Sequence, residues 1–329
     1  MKSTLHNIVG KLFLIFLCFF FSAKSFAQHV NFGGDHLKVE VGVDFGPTFF
    51  LGDLGGHAGK GTTFIKDVNI PLTKLMKGVF ISLYPKDWWG FRMAAQYTYV
   101  EGRDDIIDTK GVNELWRKQR NLDFKSNMWE AYGAIEFMPT MLFKKYTDYN
   151  PRIKPYGFIG LGVFHFDPQG SLTDANGTQT WYKLHPLKTE GEGFPEYPDK
   201  KPYSLTQLNL PLGGGLKFAL TDRINTAVEL LYRKTFTDYI DDVSTTVIDP
   251  NTFYSNLSPA DAAIASKIHD KTKGIVTPGV NRYPPGTQRG NPKNKDAYFS
   301  FVAKIGIQLG YKNSSERNTA RQTRCPHFY

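Results

Sequence analysis

The stretch Phe299-Ser300-Phe301-Val302-Ala303-Lys304-Ile305-Gly306-Ile307-Gln308-Leu309 alternates from end to end. Phe299, Phe301, Ala303, Ile305, Ile307 and Leu309 fall on one side, and Ser300, Lys304, Gly306 and Gln308 on the other. Successive side chains of a strand point to opposite faces, so this segment reads as a strand with one greasy and one polar face. Its length suits a tilted bilayer crossing.

Working outward, seven further segments repeat the pattern. Leu37 to Gly46 places Val39, Val41, Val43 and Phe45 against Lys38, Glu40, Gly42 and Asp44. Val79, Ile81 and Leu83 oppose Phe80, Ser82 and Tyr84, while Trp89, Phe91, Met93, Ala95 and Tyr97 oppose Arg92, Ala94 and Gln96. Trp129, Ala131, Ile135 and Phe137 oppose Glu130, Tyr132 and Glu136. The remaining three carry Ile159, Leu161 and Val163; Leu208, Leu210, Leu212, Leu216 and Phe218 against Asn209 and Lys217; and Ile224, Val228, Leu230 and Tyr232 against Glu229 and Arg233. Pro211 suggests a bulge in the sixth, because proline cannot donate to a ladder.

The links alternate in length. Pro85-Lys86-Asp87 and Thr221-Asp222-Arg223 are tight, whereas 51–72, 100–127, 167–203 and 236–295 are long; only 139–154 is long where a turn is expected. Short turns on one side and long loops on the other predict an all-β fold, an eight-stranded antiparallel transmembrane β-barrel with long extracellular loops. The 236–295 loop could add a hairpin or enter the lumen. A water-soluble β-sandwich shares the alternation but not the asymmetry of its links.

On the polar faces stand Lys38, Arg92, Lys217, Arg233 and Lys304, with Glu40, Asp44, Glu130, Glu136 and Glu229. Balanced charge in a narrow interior predicts interlocking ion pairs and a filled lumen. Tyr84, Trp88, Trp89, Tyr99, Phe137, Tyr156, Tyr232 and Tyr311 lie near segment ends, where interfacial girdles form.

Composition agrees. Aromatics reach 15%, and 31 Gly with 19 Pro supply turns, which argues against a helical bundle. Mean hydropathy of −0.35 argues against a set of apolar membrane helices. Residues 1–27 read as a secretory signal: Lys2 and Lys11, an apolar run from Leu12 to Phe21, then Ser25-Phe26-Ala27 before Gln28. Its removal takes away Lys2, Lys11 and Lys24 and no acid, lowering the formal charge from +9 to +6. The barrel is then expected over residues 28–311, followed by a basic periplasmic tail, 312–329.

Cys18 leaves with the signal, so Cys325 in the tail is a candidate for an intermolecular disulfide. The mild basic excess does not point to nucleic acid in an exported chain.

Outside the strands, Ser258 reads as an N-cap ahead of Pro259, with Asp261 three residues on, so a helix is expected through Ile268. Asn113 to Asn121 could form another. Gly55 to Thr62 fails as a phosphate loop, since Leu54 and Gly61 occupy two of its defining positions. His36, His57, His165, His185, His269 and His327 lack metal-ligand spacing. Asp238, Asp241 and Asp242 read as a solvated strand end, and Glu190 and Glu192 as loop residues. No catalytic, metal or cofactor site is expected.

The run Tyr232-Arg233-Lys234-Thr235-Phe236-Thr237-Asp238-Tyr239-Ile240-Asp241-Asp242-Val243-Ser244-Thr245-Thr246 resembles the signature of the PorG-type outer-membrane proteins of type IX secretion. Leu51 to Gly56, Lys154-Pro155-Tyr156 with Gly160 to Phe164, Thr189 to Gly193, and Arg289-Gly290 match in order. The resemblance implies a small non-enzymatic barrel of the outer membrane that associates with a periplasmic ring of the lipoprotein PorK and its partner PorN, and with other secretion components. The Arg324-Cys325-Pro326 ending also resembles those proteins. A general small outer-membrane barrel, acting as a pore or as a surface adhesin or ligand-binding protein, is the alternative.

Overall fold

The computed structural model describes residues 37–54, 72–107, 112–142, 151–221, 223–272 and 283–309. The expected signal segment and the tail with Cys325 lie outside them. The elements in order are β1 (Lys38–Leu51), β2 (Lys74–Lys86), β3 (Trp89–Arg103), α1 (Val112–Arg120), β4 (Asp123–Phe137), α2 (Pro139–Leu142), β5 (Ile153–Thr173), β6 (Gln179–Lys183), β7 (Thr206–Ala219), β8 (Ile224–Thr235), α3 (Asn251–Asn256), α4 (Pro259–Ile268) and β9 (Ala297–Leu309).

Every strand pairs antiparallel with its neighbour, and the last joins the first from Val39↔Leu309 to Leu51↔Ala297. β4 meets β5 and β5 meets β7, so eight strands close into a barrel. Closure leaves no free edge and satisfies the strand backbone internally, as lipid demands. β6 is not a stave: it pairs only with the far end of β5, Gln169 to Thr173, which projects past the barrel rim. Among its described residues the 236–295 loop adds no stave either. It contributes α3, α4 and an isolated bridge between Thr246 and Gln288.

The alternation is realised as two surfaces. Val43, Val79, Ile135, Leu161, Leu208, Val228 and Ile305 stand exposed outside, Leu161 by 70%. A continuous apolar belt of this kind has the character of a lipid-facing surface. Tyr84 and Tyr156, expected in the girdles, are instead buried in the lumen. Strand phase overrides nearness to an end: Tyr84 shares the inward face of Phe80 and Ser82.

Pro211 makes no bulge. Pairing with β8 runs unbroken from Asn209↔Thr235 to Ala219↔Asn225, and pairing with β5 resumes in the same register on either side of the proline. One missing donor is absorbed without a shift because β8 holds the register.

Both expected helices are present. Ser258 Oγ accepts from the Asp261 N–H at 3.2 Å and donates to its carboxylate at 2.8 Å, so cap and first turn stabilise each other. α1 ends at Asn121 with φ of 54°, a left-handed stop.

Gly42 faces Gly306 across the closing seam. A Cβ there would collide with the Ile305 carbonyl oxygen, the Gly306 backbone and the Phe80 ring. Gly42→Val should therefore block closure of β1 on β9. The expected readout is a sharply reduced refolding yield in detergent, seen as loss of the compact, heat-modifiable band in unboiled gel samples.

Candidate functional site

The inward faces bring nine of the ten sequence-nominated ionisable residues together. Arg92 donates through Nε to Glu136 and through Nη1 to Glu229 at 3.1 Å, with all three side chains buried. Lys304 lies 3.7 Å from Glu229 and 4.0 Å from Glu136. Lys217 donates to Glu40 at 3.0 Å and to the Tyr84 hydroxyl at 2.6 Å, and that hydroxyl donates to Glu136. Tyr156 donates to Glu229 at 2.5 Å.

A second group sits nearer the long loops. Arg233 donates to Glu130 at 3.1 Å, to Ser300 at 2.6 Å and to Gln96 at 2.5 Å; Gln96 in turn donates to Asp44 at 2.7 Å. Asn209 links Glu130 to Tyr298 at 2.6 and 3.2 Å. Each lumen cation also faces a ring. Arg92 lies 4.6 Å from the Phe158 centroid, Lys304 4.0 Å from Phe80, Lys217 4.5 Å from Tyr84 and Arg233 5.0 Å from Tyr298.

Lys38 is the exception. It stands at the rim with half its side chain exposed and bonds Asp87 at 2.5 Å across the short link. Being the first residue of β1, it clears the packed interior. The sequence reading missed Tyr84, Gln96, Tyr156, Asn209, Ser300 and Tyr298 as members of the network. Their inward phase was the available signal, but uncharged groups do not draw the eye as charges do.

Above the lumen the long loops form a cap. Ile240 and Val243 pack with Phe164, Phe166, Met128 and Tyr298, which closes that mouth. Asp238, Asp241 and Asp242, expected in solvent, are buried. Hydrogen bonds from other loops hold two of them there. Asp241 accepts from Leu54 N–H at 2.9 Å and Val243 N–H at 3.1 Å, tying in the β1–β2 loop. Asp242 accepts from Thr189 at 2.5 Å and Tyr203 at 2.6 Å, tying in the β5–β7 segment.

Glu190, read as an ordinary loop residue, accepts from Ser244 N–H, Thr245 N–H and Thr245 Oγ1 at 2.6–2.9 Å and from Arg289 at 3.0 Å. Arg120 joins Asp104 to the Asp53 carbonyl. The family-like run Tyr232 to Thr246 is thus the end of β8 plus the keystone of the cap. Of its members, Lys234 and Phe236 remain exposed, while Thr235 and Thr237 are buried.

Burial dominates the electrostatics of the cap. It pushes the Asp238 carboxyl up to about 8, with Asp53 and Glu190 adding repulsion against help from Ser244 and Lys295. Glu192 also rises to about 8, through burial and then the charges of Asp242 and Glu190. Among the described residues no group of His, Cys, Asp or Glu is arranged to hold a metal ion.

No family model and no curated protein matches the chain. Solved structures that resemble it include the outer membrane protein OprG from Pseudomonas aeruginosa (13% identity, 84% of this chain and 96% of that one, TM-score 0.33). A major outer membrane protein from Thermus thermophilus shares 11% identity over 82% and 99% of the two chains, with a TM-score of 0.36. Neisserial surface protein A shares 11% over 82% and 96%, with a TM-score of 0.33. The barrel assignment rests on the closed pairing circuit of this chain.

Two outcomes follow. Arg92→Leu leaves Glu136 and Glu229 short of their main counter-charge in a dry space, and should cost about 3–5 kcal/mol in urea unfolding from detergent micelles. For the cap, raised carboxyl values mean that the folded state binds more protons than the unfolded one. The stability from Asp238 and Glu192 is full below about pH 4, their ordinary range. It is lost as pH rises through about 8. The protease resistance of the cap should fall between about pH 5 and about pH 9, and less so in Asp238→Asn with Glu192→Gln.

Proposed function

We propose that this protein is a sealed barrel of the outer membrane that acts as an anchor, and that it serves type IX secretion by organising the periplasmic PorK/PorN ring. The observation that carries the anchoring role is the lumen. Arg92, Arg233, Glu136 and Ser300 are fully buried there, and their bonds run from wall to wall. A passive pore needs a hydrated path, which this packing opposes. The apolar belt supports the membrane location.

The short Asp87–Trp88 link, the start of β1 and the end of β9 share one rim, which in outer-membrane barrels is the periplasmic one. On that reading the termini are periplasmic and the cap is extracellular. Support for the secretion role is the residue run 232–246 and its matching companions. Of the matched pieces among the described residues, Leu51 to Leu54, Thr189 to Gly193 and Arg289-Gly290 belong to the cap, whereas Lys154-Pro155-Tyr156 opens β5 at the opposite rim and Gly160 to Phe164 runs through the barrel wall. The 312–329 tail and Cys325 are the proposed docking segment, with outer-membrane lipids, PorK, PorN and other secretion components as partners.

Purified protein in planar bilayers should give no large, steady conductance; a stable open current would overturn the sealed-barrel reading. Crosslinking in intact envelopes should capture ring subunits, and deletion of 312–329 should abolish that capture. Cys325→Ser should remove any high-mass band seen on non-reducing gels. A sealed barrel that captures no ring subunit would leave the general small-barrel alternative in place and end the secretion assignment.

A further inference from the structure

We infer that the cap carries a binding site for an acidic sugar, in the cavity between α1 and the segment from Tyr283 to Lys293. The inference stands on the cap alone and does not depend on the secretion role. The cavity measures about 680 Å³, within the roughly 300–1,000 Å³ typical of small-ligand sites.

One wall is aromatic. Trp116 stacks on Tyr283 with ring centroids 5.3 Å apart and planes 22° apart, and Tyr283 donates to the Trp116 carbonyl at 3.3 Å. Trp116 is nonetheless 55% exposed, so the pair presents a rigid, open π surface to the cavity. A pyranose ring suits this surface, because its C–H bonds meet the negative face of the indole while its hydroxyls remain free to bond.

The other walls are cationic and amide-bearing. Arg117, Arg120, Arg289 and Lys293 line the cavity against a single acid, Asp53. That carboxylate is turned onto the Asn291 N–H at 2.5 Å, and its burial holds it above the usual carboxylate range. Arg289 is locked by three bonds through Nε and Nη1, to His269 O, Glu190 and Asp242 O, whereas its Nη2 donates to none of the described residues. A guanidinium fixed in place with a free edge is preorganised for a carboxylate, sulfate or phosphate. Gln288 completes the lining with an amide that can meet sugar hydroxyls. An inorganic anion would use the charges and waste the aromatic wall; a neutral sugar would do the reverse.

Full-length processed protein in detergent can be titrated calorimetrically with tetragalacturonate, maltotetraose and pyrophosphate. Tetragalacturonate should bind about tenfold or more tighter than either of the others. Trp116→Ala and Lys293→Glu alter exposed side chains and should each weaken it by about fivefold or more with the thermal midpoint unchanged. No binding of tetragalacturonate, equal binding of pyrophosphate, or unchanged affinity in both variants would overturn the site. Repeating the titration in vesicles with and without lipopolysaccharide separates the sources. Competition by lipopolysaccharide assigns the sugar to the outer leaflet, and unchanged affinity assigns it to a soluble glycan.

Discussion

Four cations and five carboxylates share the barrel interior, and nearly everything else in the molecule follows from keeping them there. Desolvating such groups costs several kcal/mol each, so the interior is tolerable only when every charge has partners of good geometry. Arg92 between Glu136 and Glu229, and Arg233 among Glu130, Ser300 and Gln96, meet that condition. Tyrosine hydroxyls and ring faces supply what the ion pairs leave over. The strand alternation that turns these groups inward places the apolar side chains outside.

A filled lumen moves function to the ends of the barrel. At the cap end, carboxylates act as acceptors for backbone N–H groups from several loops at once, which makes separate loops into one body. Asp241 and Asp242 link the β8–β9 segment to the β1–β2 and β5–β7 segments, and Arg120 and Arg289 add the rest. Residues that look like a recognition signature are here the joints of a rigid lid. Rigidity of this sort gives the cavity beside Trp116 fixed walls.

The barrel itself was largely legible. Period-two alternation in 299–309 and its companions marks the strands, and the inward charges follow from the same phase. Ser258, Pro259 and Asp261 announced α4 through local capping chemistry. Three readings failed for one reason: Pro211 as a bulge, Tyr84 and Tyr156 as girdle residues, and Asp238 to Asp242 as solvated acids were judged from residue type. In each case the neighbouring strand or loop decided the outcome.

By itself, then, the chain's pattern determined eight alternating segments, their inward and outward faces and the alternation of short and long links, because these depend on residues close together along the chain; that the 236–295 segment adds no stave among its described residues was decided by the tertiary structure. Which carboxylate meets which cation, as in Arg92 with Glu229, Lys217 with Glu40 and Arg233 with Glu130, and the folding of four distant loops into a cap with Trp116 beside Arg289, depended on contacts between segments far apart along the chain. Ring closure sets those distances, and no local periodicity encodes them.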